Sequence, residues 1–220
     1  MTTHAVKPYK GMAMEGVIAT WYARNARRDD EFKRWAQIIS TTVAPGGRVL
    51  EVAPGPGYLS IEVAKSGKYH VTGLDISQSF VEIARMKAKE AVVHVDFRHG
   101  NASDMPFADE SFEFIICTAA FKNFTQPVRA IAEMQRVLTP GGQALIVDLR
   151  RDASRQAVNA MVEAMGLNWI NTHFTKLSFS QMLLKSAYTP SEIEAMVAQT
   201  RFGHCDIRTD AIGMEIWLKK

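Results

Sequence analysis

Short apolar runs alternate along this chain with segments whose apolar residues recur every three or four positions. The strand-like runs are 48–50, 69–74, 95–99, 112–117 and 143–148, and the helix-like segments between them are 58–65, 79–89 and 127–138. Strand and helix in alternation predict a parallel sheet joined by right-handed crossovers, an α/β fold. Two more helices are expected ahead of it, 12–23 and 31–40, parted by the charged stretch 24–30; residues 1–10 show no periodicity. In the second of them Phe32, Trp35, Ile38 and Ile39 fall at helical spacing, so that face should lie against the sheet. In 79–89 the buried face is Phe80, Ile83, Ala84 and Ala88, and Ser79 with Glu82 has capping-box spacing.

After the fifth run, residues 152–188 are too many for a simple crossover. They read as helices 154–165 and 178–185 joined by the aromatic stretch 167–175, an insertion of the kind that forms a lid. Thr189-Pro190-Ser191-Glu192 combines a capping box with proline at the first helical position and predicts a helix over 190–199. The runs 205–208 and 214–219 then make a closing hairpin. At 220 residues and 47% hydrophobic the chain has enough apolar side chain for one substantial core. The expected division is a single domain: a helical cap (1–42), a ligand-binding core (43–149), a helical insertion (150–188), and the last helix with its hairpin (189–220).

The turn after the first run reads EVAPGPG, residues 51–57. Gly55 and Gly57 let the backbone turn sharply and approach a ligand with no Cβ in the way, while N–H groups opening the next helix point at the ligand's polar end. Asp75 ends the second run, which sets a carboxylate at the tip of the neighbouring strand, where it meets two ribose hydroxyls. The dinucleotide pattern GxGxxG fits poorly, because counting from Gly55 puts Ser60 at the third glycine position. Glu51 at the strand end carries the wrong charge for a pyrophosphate and the right one for a cation such as a sulfonium or ammonium.

On these residues the chain resembles the class I S-adenosylmethionine-dependent methyltransferases, within them the group related to the ubiquinone/menaquinone C-methyltransferases. Further motifs occur in the family's order: GLDIS (73–77) resembles its ribose-binding strand end and GNASDMPF (100–107) its adenine loop. FEFIICTAAFKNF (112–124) resembles the fourth strand and following loop, and RVLTPGGQALIVDL (136–149) the helix, Pro-Gly-Gly turn and fifth strand. The resemblance implies a Rossmann-like, doubly wound, mostly parallel seven-stranded sheet of order 3-2-1-4-5-7-6 with an antiparallel last strand. It implies S-adenosyl-L-methionine as cofactor and S-adenosyl-L-homocysteine as product. The residues that match the cofactor motifs are Glu51, Ala53, Pro54, Gly55, Gly57, Asp75, Ile76, Asn101, Ala102 and Thr118. The chain departs from the pattern at Ala53, where the first motif glycine usually stands, at Asn101, which replaces an acid, and at Lys122-Asn123, where many relatives carry histidine.

An activated methyl group needs an attacking atom about 3 Å away and in line, so positioning is expected to dominate, with a base needed only for a protonated nucleophile. Tyr22, His173, Tyr188 and the Asp148-Arg150-Arg151 group are the polar side chains considered able to face the methyl group. Tyr22, on the helix that covers the cofactor in related proteins, and His173, in the aromatic insertion, are the candidate catalytic residues. Phe121, Arg150 and Tyr188 are the candidate substrate contacts: an apolar surface, a cation for a carboxylate or phenolate, and a polar ring.

The net charge of +3 is mild, and the pairs Arg27-Arg28 and Arg150-Arg151 are each followed by aspartate, so no nucleic-acid partner is expected. Cys117 and Cys205 provide neither metal spacing nor a disulfide framework. No apolar stretch reaches the roughly 18 residues that span a bilayer, and no signal pattern opens the chain. The expectation is a cytoplasmic monomer or homodimer without a metal, acting on a small-molecule methyl acceptor. The competing readings are a nucleic-acid methyltransferase, a non-catalytic S-adenosylmethionine-binding regulator, and a nicotinamide-dependent dehydrogenase.

Overall fold

The computed structural model describes residues 9–10, 14–25, 28–164 and 184–220. Helices α1 (Gly16–Asn25) and α2 (Asp29–Thr42) lead into β1 (Arg48–Val52), α3 (Tyr58–Ala64), β2 (His70–Asp75), α4 (Gln78–Glu90) and β3 (Asp96–His99). Then follow β4 (Phe112–Thr118), a 3-10 turn (Phe121–Asn123), α5 (Pro127–Val137), β5 (Leu138–Leu149) and α6 (Arg155–Ala164). A helical turn (Leu184–Ser186), α7 (Pro190–Val197), β6 (Asp206–Thr209) and β7 (Gly213–Lys219) complete the chain. The sheet order is β3-β2-β1-β4-β5-β7-β6, as expected, parallel from β3 to β5 with β7 antiparallel to both β5 and β6.

The central strands are apolar on both faces over most of their length because both faces of the sheet are covered. Val49, Val71, Phe97, Phe114 and Leu145 meet Trp35 and Ile39 of α2, Leu59 and Val63 of α3, and Val81 and Ala84 of α4. Leu50, Leu74, Ile115 and Ile146 of the same strands turn to the other face, against Ala130, Ile131 and Met134 of α5 and Ile193 and Val197 of α7. The α2 stripe thus lies where its periodicity places it, with Phe32 and Ile38 at the margin of the cluster.

Three local expectations change. Helix α4 is capped by Ser77, whose hydroxyl accepts the Phe80 N–H at 3.1 Å, and not by Ser79; Ser79 instead bonds the N-terminal segment. The first helix starts at Gly16, beyond the expected Met12. The Pro-Gly-Gly segment is part of the irregular start of β5, where the register against β4 shifts between Phe112 and Phe114. By contrast, Thr189 and Glu192 form the full capping box on α7, with Pro190 in the first turn. The insertion stretch 167–175, the helix expected over 178–183, Met165, Met182 and the candidate His173 lie outside the described residues.

Candidate functional site

The carboxyl ends of β1 and β4 lie side by side where the chain's winding reverses, the position at which open α/β sheets take ligands. Each strand is followed directly by an alanine with left-handed backbone, Ala53 at φ 57° and Ala119 at φ 57°. Each nevertheless donates its N–H to the neighbouring strand, Ala53 to the Leu74 carbonyl at 2.8 Å and Ala119 to the Val147 carbonyl at 2.7 Å. A non-glycine residue held in this region costs about 1–3 kcal/mol, and such strain gathers at functional sites. Beyond Ala53 the turn continues through Gly55 (φ 55°) and Gly57 (φ 78°). The two glycines differ: a Cβ on Gly57 would stand 2.6 Å from Phe97, whereas on Gly55 its nearest contact is Phe80 at 4.0 Å. Gly57 is therefore required by packing, whereas a side chain at Gly55 would make only an ordinary contact with Phe80.

Two buried carboxylates organise this turn. Asp75 accepts the Gly55 N–H at 2.9 Å on one oxygen and the Ser77 N–H at 2.8 Å on the other, leaving each oxygen further acceptor capacity. Glu51 points toward α3, where one oxygen accepts the Ser60 N–H at 2.8 Å and its hydroxyl at 2.5 Å. Glycine at the N-cap supplies no side chain, so Glu51 satisfies a first-turn donor in its place. Burial pushes Glu51 up to about 7, against the Ser60 hydrogen bonds, with the Asp75 charge raising it further. Burial likewise pushes Asp75 up to about 6 against its two backbone donors.

A latch closes over this corner. Glu15 accepts the Gln78 N–H at 3.1 Å and the Ser79 N–H at 3.0 Å, a carboxylate at the positive end of α4. The Ser77 hydroxyl donates to the Met14 carbonyl at 2.6 Å, and the Gly16 N–H donates to the Ser79 hydroxyl at 2.9 Å. Tyr22 of α1 sets its ring edgewise on Phe80, 5.7 Å between centroids, and burial raises its phenol above the ordinary value. Trp21, one residue earlier, remains 65% exposed. Ile76 follows Asp75, and its carbonyl lies 3.1 Å from His99 Nε2.

The loop after β3 folds on itself. The Asn101 side-chain oxygen accepts the Ser103 N–H at 2.9 Å, an Asx turn, and Ala102 packs against the core. Arg136 of α5 fixes the loop from beneath, donating to the carbonyls of Phe107 at 2.8 Å and Met105 at 3.0 Å.

The β4–β5 side of the reversal was the least legible in the sequence. Lys122 is buried and donates to Asp148 at 2.9 Å and to the Ala119 carbonyl at 2.5 Å, with side chains only 5% and 2% exposed for Lys122 and Asp148. Asp148 also accepts the Lys122 and Leu149 N–H groups, each at 2.8 Å, so it is committed to holding the loop and is not a free candidate at the methyl group. Thr118 ends β4 opposite Val147. Phe121 is fully buried and its ring lies 5.9 Å from that of Tyr188, which is bridged to Arg150 at the end of β5. Phe121, Arg150 and Tyr188 are thus brought together. Arg151 is not available with them, because it pairs with Glu192. A crevice of about 360 Å³ lined by Arg48, His70, Arg98 and Phe107 lies away from these residues, and its arginines are paired with Glu113 and Asp96.

Residues 50–146 match the family described as methyltransferase domain. The demethylmenaquinone methyltransferase of Listeria welshimeri is 39% identical over 109 residues, 48% of this chain and 46% of that protein. That of Deinococcus radiodurans is 35% identical over 108 residues, 49% of this chain and 45% of that protein. Over this core the chain is similar to S-adenosylmethionine-dependent methyltransferases. The aligned part of the chain spans about half the length of these curated relatives. Among solved structures, a putative S-adenosyl-L-methionine-dependent methyltransferase from Methanococcus maripaludis superposes with TM-score 0.73 at 18% identity, covering 96% of this chain and 95% of that one. The [4+2]-cyclase SpnF superposes with TM-score 0.56 at 22% identity over 85% of this chain and 80% of that one, so the methyltransferase fold alone does not dictate the reaction. Among the described residues no helix is long and apolar enough to cross a membrane, and no group of three or more histidine, cysteine or acidic side chains is placed to hold a metal.

Proposed function

We propose that this chain binds S-adenosylmethionine at the β1–β2 corner and transfers its methyl group to a small-molecule acceptor over the β4–β5 side. The carrying observation is the charge of the corner: Glu51 and Asp75 are 3% and 5% exposed, and among the described residues neither forms an ion pair. Two buried carboxylates without a counter-charge, beside a glycine turn with space at Gly55, fit a cationic nucleoside better than a pyrophosphate.

Asp75 would hold the ribose hydroxyls and the Gly55 turn the methionine end, with the Asn101-Ala102 loop flanking adenine. Ala53, Pro54, Gly57, Ile76 and Thr118 complete that surface, and Glu51 supplies negative potential from beneath. The cofactor, when bound, supplies a methyl group already activated on sulfonium. The protein's part is to exclude water and hold the acceptor in line. The latch through Glu15 and the packing of Tyr22 on Phe80 support the first task, and the rigid Lys122–Asp148 loop the second. Tyr22 stands over the cofactor corner in this reading, as a cover more than a base, since burial makes its phenol harder to ionise.

Calorimetric titration of S-adenosylmethionine, S-adenosylhomocysteine and NADH tests the proposal. Binding of the first two, lost in Asp75→Ala, is the expected result. Binding of NADH alone overturns it, and cofactor binding without turnover on phenol, amine or thiol acceptors favours a regulatory protein.

A further inference from the structure

One short stretch of chain is bonded to both sides of the strand reversal. On the β4–β5 side Tyr9 forms a bridge with Phe124, the Lys10 N–H donates to the Asn123 carbonyl at 2.6 Å, and the Lys10 ammonium donates to the Tyr188 hydroxyl at 2.7 Å. On the β1–β2 side Met14, Glu15 and Gly16 make the latch on Ser77, Gln78 and Ser79. From Lys10 to Met14 the chain has four peptide steps, which reach at most about 14 Å. Strands β2 and β4 flank β1, so they run about 10 Å apart. Passing from one side to the other uses most of that reach, so the two anchorages share little slack.

The latch end is joined to the cofactor corner by a continuous set of hydrogen bonds. Ser77 donates its hydroxyl to the Met14 carbonyl at 2.6 Å and its N–H to one oxygen of Asp75 at 2.8 Å, and the other oxygen of that carboxylate accepts the Gly55 N–H at 2.9 Å. At the far end, Asn123 belongs to the loop that Lys122 and Asp148 fix. The Lys10, Glu15 and Ser79 bonds are exposed to solvent, where each is individually weak, so the segment undocks by local opening far short of global unfolding. We infer that Lys10 and Glu15 are paired positioning residues, which hold the N-terminal segment docked on both sides of the reversal and so link ligand binding at Asp75 to the order of the Asn123–Tyr188 side. The inference rests on the cofactor reading proposed above. A cofactor bonded to Asp75 favours the orientation that Ser77 gives that carboxylate, and with it the docked segment. By reciprocity the docked segment slows cofactor release and steadies the opposite loop.

The test uses the full chain and two readouts: release of radiolabelled S-adenosylmethionine into excess S-adenosylhomocysteine, and amide hydrogen exchange without any cofactor. Glu15→Ala is expected to speed release about tenfold, and Glu15→Gln, which keeps an accepting oxygen, should fall between it and wild type. Lys10→Met, whose lost bond lies on the opposite half, should still speed release about threefold, and the double variant should match Glu15→Ala within about twofold, because one loose end already frees the segment. In the cofactor-free protein Lys10→Met should raise exchange at the Gln78 and Ser79 amides about threefold. A Glu15 that merely caps α4 would leave Lys10→Met without effect on either readout. Unchanged release or unchanged exchange in Lys10→Met, or effects of the two substitutions that multiply in the double variant, overturn the inference. Failure of S-adenosylmethionine to bind wild type overturns the cofactor assignment instead, and the exchange measurement by itself then decides whether the two anchorages are linked.

Discussion

On the β1–β2 side of the strand reversal Glu51 and Asp75 are buried with hydrogen bonds but, among the described residues, form no ion pair, whereas on the β4–β5 side Asp148 is buried against Lys122, with Lys10 and Arg150 beside Tyr188. The two halves share their backbone devices: each has a strand followed by a left-handed alanine and a carboxylate that accepts N–H groups of the loop. They differ in whether the carboxylate is neutralised internally. A buried acid with its own lysine is a fixed structural strut. A buried acid without one is costly to the free protein and is relieved by a cationic ligand. On the proposed reading, the difference separates the part that builds the loop from the part that takes the cofactor.

The largest effect expected follows from breaking the strut. Lys122→Met leaves Asp148 buried and unpaired and should lower unfolding free energy by about 3–5 kcal/mol in denaturant titration. Lys122→Met with Asp148→Asn should recover much of that loss, since no uncompensated charge remains. If the single variant is as stable as wild type, the two carboxylates do not differ as described.

Removing the unneutralised acid should do the reverse: Asp75→Asn loses cofactor binding, by about 2–3 kcal/mol or on the order of 100-fold, with a smaller change in stability. Calorimetry beside thermal unfolding separates the two effects. Gly55→Ala sharpens the point: its Cβ meets only Phe80 at 4.0 Å, so beyond the strain of φ 55° the variant should fold and bind more weakly, while Gly57→Ala meets Phe97 at 2.6 Å and should chiefly destabilise.

The two sides should also part with pH. Burial places Glu51 at about 7 and Asp75 at about 6 in the folded protein, above their ordinary values of 4.5 and 3.8. Between those ordinary values and the folded ones the unfolded chain has released protons that the native state still holds. The contribution of these groups to stability is therefore greatest in acid and falls as pH rises toward about 7, then levels. A cationic cofactor prefers the ionised acids, so its affinity should rise about tenfold from pH 6 to pH 8 with proton release, read by calorimetry in buffers of different ionisation heat. A flat affinity profile would count against the anionic corner.

The smallest effect is expected at the strained alanines. Ala53→Gly and Ala119→Gly relieve left-handed strain at the cost of unfolded-state entropy and should each stabilise the free protein by about 0.5–1 kcal/mol in denaturant titration. Loss of stability in either variant would mean that the left-handed backbone there is not strained.

The sequence by itself determined the strand and helix alternation, the α2 stripe, the Thr189 capping box and the placing of Asp75 at a strand tip, since each depends on neighbours within a few residues or on a periodicity. It also placed Glu51 at the turn, but the partner that Glu51 holds, Ser60, follows from the direction of its side chain toward α3. Only the tertiary structure decided which acids are neutralised. Lys122 stands in the turn after β4 and Asp148 within β5, and nothing in either local sequence marks one as the other's partner. The same holds for Lys10 with Tyr188, and for Glu15 at the start of α4, where the N-terminal segment takes the bonds that the Ser79 spacing had suggested for a local cap. Local pattern fixes elements because their hydrogen bonds and buried faces are short-range, while charge pairing in a low-dielectric interior is set by which distant segments the fold brings within about 3 Å.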